Sequence, residues 1–301
     1  MTISAEQTIL RIEMLARRDP GGRGLAAAAT TRDLLAAARE LAAGNRVILV
    51  TGFYIIASGG ENDGVSGTLA VADALRRLGK EVVLVTDEHS LPLLHAGMAV
   101  FGTAFRIVAL SRNQKDADRA IDALLTSFRP THVVAIERPG SAVDGHRYSM
   151  RGERLDAFVP AADRLLVPPT PRDFTTIAIG DGGNELGLGS LREALMDKVT
   201  HGELIFCATP ADYVIPAGIS NWGAFALTAA LALSSGQLLL RPPAHERAVL
   251  EALSAAGAID GCTKEHTFSV DGLAWPDYAE TLSAIYEETR RALTLQRRSG
   301  T

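Results

Sequence analysis

The chain has little of what marks several protein classes. Its 301 residues include two cysteines, Cys207 and Cys262, which cannot form a disulfide framework or a four-cysteine zinc site. Its 30 Lys and Arg are outnumbered by 35 Asp and Glu, a formal net charge of −5, so the basic excess typical of nucleic-acid binders is absent. The patterns His-Glu-x-x-His and Gly-x-Ser-x-Gly do not occur, which disfavours zinc hydrolases and hydrolases with a serine elbow.

The chain also lacks a hydrophobic run long enough to cross a bilayer. Residues 213–240 carry no charged side chain, but their apolar part, residues 223–233, is shorter than the roughly 20 residues that a bilayer requires. Residues 1–10 include Glu6 and no apolar segment of the kind found in signal peptides. These features predict a cytoplasmic protein that binds neither membranes nor nucleic acid.

Short runs rich in β-branched residues alternate with segments of helical periodicity. The predicted strands are residues 46–51, 81–86, 105–110, 132–136, 175–179, 204–208 and 213–215. The predicted helices that separate and follow them are residues 67–78, 116–128, 151–158, 221–233, 244–256 and 277–291. Runs that are apolar on both faces are typical of parallel strands covered by helices on each side.

The alternation predicts an α/β fold, a three-layer sandwich with a mostly parallel, Rossmann-like sheet and helices on both faces. We find no internal repeat, and the most linker-like segment, residues 168–171, is short. We therefore expect a single α/β domain over residues 1–301. Within it, N-terminal helices (5–43) precede an α/β core (45–240) and a C-terminal helical region (244–298).

Glycines and acidic or amide side chains follow five of the predicted strands, where ligands bind in open α/β sheets. The sharpest motif, residues 180–189, contains Asp181, Asn184 and Glu185, whose oxygens suit Mg²⁺ or Mn²⁺. In the same motif, Gly182 and Gly183 allow backbone N–H groups to face an anion. A tight structural turn would give the same pattern.

Three further motifs have a structural reading beside a functional one. Glu61 and Asp63 precede a predicted helix. They are either metal ligands or proton-transfer groups, or they are part of a helix cap. Glu137 and Arg138 follow the strand at 132–136, either as a structural ion pair or with the arginine as a bidentate partner for a carboxylate. Asn221 stands at another helix start, where it either contacts a ligand or caps the helix.

Taken together and in this order, the motifs resemble the D-glutamate cyclase C-terminal domain family. The matching pieces are Thr51-Gly52-Phe53, Glu61-Asn62-Asp63-Gly64, Ile136 to Gly140, Asp144-Gly145, Tyr148, Met150-Arg151-Gly152, Ile179 to Glu185, Gly218 to Gly223 and Val270 to Leu273. They extend over roughly residues 10–290. Asn62 and Ser149 stand where the family usually has Thr and Asn.

The resemblance implies a lyase that converts D-glutamate to 5-oxo-D-proline and water. Within that reaction we assign Asp63, Asp181 and Glu185 to a divalent metal, Mg or Mn, which would polarise the γ-carboxyl group. Glu61 or Glu137 would take the amine proton. The complete set of expected catalytic residues is Glu61, Asp63, Glu137, Asp181 and Glu185.

We expect the substrate, an amino acid or other carboxylate, to bind to residues from several strand ends. These are Gly52, Phe53, Arg138, Arg151, Gly182, Gly183, Asn184 and Asn221. Arg138 or Arg151 would hold the α-carboxylate, and the backbone at Gly182 and Gly183 would donate to oxyanions. Two alternatives remain open: a metal-dependent phosphoryl or nucleotide enzyme, and a non-catalytic small-molecule-binding domain. Apolar residues near Trp222 and at 238–240 permit a homodimer.

Overall fold

The computed structural model describes residues 5–299 and places six strands in one parallel sheet. In chain order the strands are β1 (Arg46–Thr51), β2 (Tyr54–Ile55), β3 (Gly59–Gly60), β4 (Glu81–Asp87), β5 (Arg106–Leu110), β6 (His132–Ile136), β7 (Thr175–Gly180), β8 (Tyr213–Pro216), β9 (Ser269–Val270) and β10 (Leu273–Ala274). The large sheet has the order β5-β4-β1-β6-β7-β8. This is the doubly wound arrangement, whose switch point lies between β1 and β6, the first and fourth of the six strands along the chain.

Helices cover both faces of this sheet. In chain order they are α1 (Ala5–Ala16), α2 (Leu25–Ala28), α3 (Leu34–Ala43), α4 (Val65–Arg77), α5 (Leu91–Phe101), α6 (Gln114–Phe128), α7 (Arg192–Leu195), α8 (Gly202–Ile205), α9 (Ser220–Ser235), α10 (Pro243–Ala255) and α11 (Trp275–Ser299). Two small antiparallel pairs, β2 with β3 and β9 with β10, lie outside the large sheet.

The alternation of side chains along each strand divides the core into two layers. In β1, Val47 and Leu49 face the layer formed with α1, α3, α4, α5, α9, α10 and α11. Ile48 and Val50 face the opposite layer, to which α6 contributes Ile121. These residues are fully buried, as expected for strands covered on both sides. The predicted three-layer α/β sandwich is therefore confirmed.

The uncharged segment at 213–240 contains strand β8 and helix α9. Every residue of α9 from Ser220 to Leu233 is buried, because the helix packs against α1, α3, α4 and α11. No helix within residues 5–299 has both the length and the apolar character needed to cross a membrane. Trp222, Leu239 and Leu240, which suggested a homodimer surface, are buried in the core; that reason for expecting a dimer is removed.

Two predicted elements are wrong. Residues 204–208 are not a strand: α8 ends at Ile205, and Ile205 and Phe206 are buried in a satellite core beside the sheet, which explains their apolar character. Residues 151–158 are not a helix. Gly152 has a φ of 76°, and the Ser149 hydroxyl accepts the N–H group of Arg151, so the chain forms turns here. The structure also contains α5, which the sequence analysis did not predict.

Candidate active site

Three carboxylates from three strand ends meet at the carboxyl edge of the sheet. Asp63 precedes α4, Glu137 follows β6, and Asp181 follows β7. One oxygen of each lies within 4.8 Å of those of the other two, and all three side chains are buried. We call these residues the carboxylate floor. A separation this small at the switch point is suited to a shared proton or a bound cation.

The N-terminus of α9 holds the carboxylate floor in place. The Ser220 N–H group donates to Asp63 Oδ2 (3.0 Å) and to Asp181 Oδ2 (3.1 Å). The Asn221 N–H group donates to Asp63 Oδ1 at 2.9 Å. The Ser220 hydroxyl donates to Glu137 Oε2 at 2.5 Å. Because the first N–H groups of a helix lack partners within the helix and carry its positive dipole end, this site favours negative charge.

Backbone conformation brings Glu137 close to the other two acids. Glu137 has a φ of 45°, in the left-handed region that non-glycine residues rarely adopt. Gly64 lies against it, so closely that a Cβ atom at position 64 would be 2.3 Å from the Glu137 Cβ. A glycine is therefore required at position 64 for this approach.

Burial and mutual repulsion disfavour the ionised forms of these acids. Burial, followed by the charge of Asp271, raises the pKa of Asp63 to about 7. Burial, with added repulsion from Glu185 and Asp63, raises the pKa of Glu137 well above its ordinary value. The pKa of Asp181 is also raised by burial, although Arg23 opposes the shift. Near neutral pH the carboxylate floor therefore requires protons or a cation.

Arg23 is a site residue that the sequence analysis missed. Its Nη1 atom lies 2.9 Å from Asp181 Oδ1, and its two terminal nitrogens contact both oxygens of Asp271 at 2.8 and 2.7 Å. It comes from the turn after α1, where Asp19 accepts the N–H groups of Arg23 and Gly24. The break at 19–22 and the turn at 271–273 are visible in the sequence, but neither signals that these segments meet.

A cavity of about 200 Å³ opens onto this cluster. Its lining residues are Arg23, Phe53, Ile55, Glu61, Glu137, Ser149, Met150, Arg151, Asp181, Asn184, Glu185, Gly261 and Cys262. Within residues 5–299, the Glu61 carboxylate accepts no hydrogen bond. Burial and the charges of Asp271 and Asp63 raise its pKa well above the ordinary value.

A larger groove, of about 550 Å³, lies elsewhere and is lined by Arg112, Arg147 and Arg164 among others. Its arginines are matched by acids: Arg147 pairs with Asp156, and Arg164 with Asp122. No member of the carboxylate floor lines this groove. The chemistry therefore favours the smaller cavity as the candidate active site.

Two predicted ligand-binding features are used by the protein itself. The Glu185 carboxylate accepts the N–H groups of Asp181 (3.0 Å), Gly182 (2.7 Å) and Gly183 (2.7 Å). These N–H groups thus have a partner within the chain, and Glu185 fixes the loop that carries Asp181. Arg138 is fully buried and paired with Asp87 at 2.5 Å, outside the cavity lining.

The remaining predicted residues lie in or beside the cavity. Phe53 and Arg151 line it, and the Gly52 carbonyl accepts a hydrogen bond from Arg138 at 3.3 Å. Asn184 also lines it, while its side chain donates to the Tyr148 carbonyl at 2.8 Å. The Asn221 side chain accepts the N–H groups of Gly64 and Gly67 at the start of α4. Asn221 thus joins the first turns of two helices beneath Asp63.

Comparisons with known proteins show the family to which the chain belongs. A family model described as D-glutamate cyclase-like, C-terminal, matches residues 12–286. The chain is 33% identical over 245 residues to the Homo sapiens protein D-glutamate cyclase, mitochondrial; the match covers 76% of this chain and 39% of the human protein. The matched part is thus well under half of that relative. The extent of the family match shows that the chain belongs to the D-glutamate cyclase-like C-terminal family.

Proposed function

We propose that the protein is a lyase that converts D-glutamate to 5-oxo-D-proline and water, assisted by a divalent cation. The observation that carries the proposal is the buried carboxylate floor of Asp63, Glu137 and Asp181, in a chain of this family. The cavity of about 200 Å³ accommodates a small amino acid.

The reaction joins two ends of one molecule. The α-amino nitrogen forms a bond to the γ-carboxyl carbon, one C–O bond of that carboxyl breaks, and the oxygen leaves as water with the protons released by nitrogen. Because amine and carboxyl belong to the same molecule, binding in a bent conformation supplies much of the rate enhancement. The remaining barrier is the poor electrophilicity of a carboxylate and the proton that the amine carries at neutral pH.

The carboxylate floor fits a hard divalent cation such as Mg²⁺ or Mn²⁺. Its ligands are oxygens, they approach one another within 4.8 Å, and repulsion among them is unfavourable without a positive charge. When bound, such a cation would polarise the γ-carboxyl group. Asp63, Glu137 and Asp181 would hold it. Glu137 takes the place we first expected for Glu185, because Glu185 is not among the described residues whose oxygens lie within 4.8 Å of one another.

Two other groups have the position required for substrate chemistry. Glu61 lines the cavity and, in the part of the chain that the structure describes, accepts no hydrogen bond. This supports a role in which Glu61 would accept the amine proton and release it to the departing oxygen. Arg151 lines the same cavity and is suited to the α-carboxylate. Arg138 does not have this position, because it is fully buried and does not line the cavity.

The geometry supports phosphoryl or nucleotide chemistry less well. A phosphate would use the N–H groups of Gly182 and Gly183, but Glu185 accepts both. The cavity is also smaller than the 300–1,000 Å³, roughly, of most pockets for drug-sized ligands.

The test is incubation with D- or L-glutamate, each with and without Mg²⁺ or Mn²⁺, with 5-oxoproline measured by mass spectrometry. We expect product from D-glutamate, a loss of turnover with EDTA, and recovery when the cation is restored. No product under any condition would remove the proposed reaction. If D-glutamate then still raised the melting temperature, the protein would be a binding domain instead.

A further inference from the structure

The cavity is lined by side chains of both charge signs. The carboxylate floor lies at the inner end, at the start of α9. At the rim, Arg151 donates to the backbone carbonyls of Gly261 (3.5 Å) and Cys262 (3.1 Å). Within residues 5–299, no carboxylate lies within ion-pair distance of Arg151. Its positive charge at the rim is therefore not neutralised by the protein.

Arg23 reaches the same rim residue from the other side. Its Nη2 atom lies 3.5 Å from the Cys262 sulfur, while Asp181 and Asp271 hold the guanidinium in place. Both arginines line the cavity and both contact Cys262. In the described residues, the Nε–H group of Arg23 has no hydrogen-bond acceptor. Each guanidinium thus retains donor capacity for a ligand near Cys262.

We propose that Arg23 and Arg151 form a two-arginine subsite for the α-carboxylate of an acidic amino acid, with the γ-carboxyl group directed to the carboxylate floor. This inference rests on the proposed function for the orientation of the substrate, and it assigns Arg23 a role in specificity that the sequence did not indicate. The fork of Arg151 matches the planar geometry of a carboxylate. Arg23, whose terminal nitrogens already bind Asp181 and Asp271, would add its Nε–H group to the same carboxylate.

Cys262 gives a direct readout of this subsite. It is exposed at the rim, whereas Cys207, the other cysteine of the chain, is buried. Partial burial and Asp271 raise the pKa of Cys262 to about 11, so alkylation is slow enough to be timed. A carboxylate held between the two arginines would shield the thiol from a neutral reagent such as iodoacetamide.

The experiment measures the rate of Cys262 alkylation in the full chain with Mg²⁺ present. D-glutamate, 5-oxo-D-proline and D-glutamine all keep an α-carboxylate, and each is expected to slow alkylation. D-isoglutamine, in which an amide replaces the α-carboxylate, is expected to give no protection. Equal protection by D-glutamine and D-isoglutamine, or none by D-glutamate, would overturn the subsite.

Variants identify the two arginines. In Arg151→Met, we expect the D-glutamate concentration that gives half of the maximal protection of Cys262 to rise at least about tenfold. This is the effect expected when a charge-assisted hydrogen bond is lost. Arg23→Lys should give a smaller rise, since lysine keeps the charge but has no Nε–H donor. Arg154→Met, a nearby exposed arginine paired with Asp156, is the control and should leave protection unchanged. Unchanged protection in Arg151→Met with a native melting temperature would refute the proposal.

This readout separates the subsite from the reaction. Protection that depends on Arg151 without any formation of 5-oxoproline would support the subsite and remove the proposed function. Formation of 5-oxoproline, with no effect of any ligand on the alkylation of Cys262, would support the proposed function and remove the subsite.

Discussion

Glu137 and Asp271 have left-handed backbone conformations, with φ values of 45° and 54°. Such a conformation costs a non-glycine residue about 1–2 kcal/mol and persists where surrounding structure enforces it. Glu137 belongs to the carboxylate floor, and Asp271 holds Arg23. Both strained residues therefore serve the candidate site.

Replacing Asp181 by Asn tests the carboxylate floor at a single atom. We expect 5-oxoproline formation to fall about a hundredfold or more, because a neutral amide is a weaker ligand for a divalent cation. The free energy of unfolding should change much less, since loss of the Arg23 ion pair is offset by relief of repulsion with Glu137. Asp197→Asn, at an exposed aspartate, is the control. Full activity in Asp181→Asn would contradict the role of Asp181.

Glu246 predicts a measurable dependence of stability on pH. Burial raises its pKa to about 8 from an ordinary value of 4.5, while the hydroxyls of Ser66 (2.7 Å) and Tyr278 (3.0 Å) donate to its Oε1 atom. Because the folded state binds this proton more tightly than the unfolded state, protonation of Glu246 adds to the free energy of unfolding. This contribution is fully present below pH 4.5 and is lost as the pH rises through about 8.

Glu246→Gln should remove that dependence, because glutamine stays neutral. Between pH 6 and 9, the wild type is expected to lose stability relative to the variant, by an amount on the order of a few kcal/mol. Thermal unfolding at a series of pH values measures it. Glu251→Gln, at an exposed position of the same helix, should follow the wild type. Parallel curves for wild type and Glu246→Gln would refute the prediction.

Among the elements, α4 has left-handed glycines at both ends, which form a matched pair. Gly64 at its start has a φ of 79° and Gly79 after its end a φ of 78°. A Cβ atom at position 64 would lie 2.3 Å from the Glu137 Cβ, whereas one at position 79 would have no atom within 4 Å. The two positions thus share a positive φ and differ in what surrounds them, and Gly64 has in addition a ψ of −39°, outside the αL region.

Alanine at each position compares a positive-φ glycine in open space with one that abuts Glu137. Gly79→Ala should lower the free energy of unfolding by about 1 kcal/mol and leave turnover intact. Gly64→Ala should cost more than this and should also lower turnover, because Glu137 must move. Denaturant unfolding and 5-oxoproline formation measure the two effects. Equal behaviour of the two variants would show that Gly64 has no special relation to Glu137.

Sequence patterns predicted helices and strands correctly where the local hydrophobic pattern and the burial in the folded protein indicate the same structure. The strand at 132–136 was found because both of its faces are buried, and β6 occupies those residues. The apolar run at 204–208 was misread, since its burial comes from a satellite core and not from a ladder of strands. Helix α5 was missed because its sequence is apolar on most sides and shows little helical periodicity.

For the molecule as a whole, a divalent cation should stabilise the fold. A ligand that binds only the folded state raises stability by about 2.7 kcal/mol at a hundred times its dissociation constant. We expect Mn²⁺ to raise the melting temperature of the wild type and EDTA to reverse this. Glu137→Gln should remove most of the rise, and Asp197→Asn should retain it. The same rise in all three proteins would mean that the cation binds elsewhere.

The arrangement of the site was predictable only in part. That acids at strand ends would share one edge follows from the α/β pattern, and Asp63, Glu137 and Asp181 do meet there. The sequence could not indicate that Glu185 would turn back onto its own loop, or that Asp87 would neutralise Arg138. Those outcomes depend on which strands are neighbours and on distances that no local pattern encodes.

The ion pair between Arg23 and Asp271 joins residues 248 positions apart, and this has a consequence for synthesis on the ribosome. At about 5–20 residues per second, Arg23 emerges roughly 12–50 seconds before its partner exists. Until then, Arg23 lacks the carboxylate that accepts hydrogen bonds from both of its terminal nitrogens. A translation product that stops before Asp271 therefore lacks this ion pair, and Arg23 is left with Asp181 as its carboxylate partner.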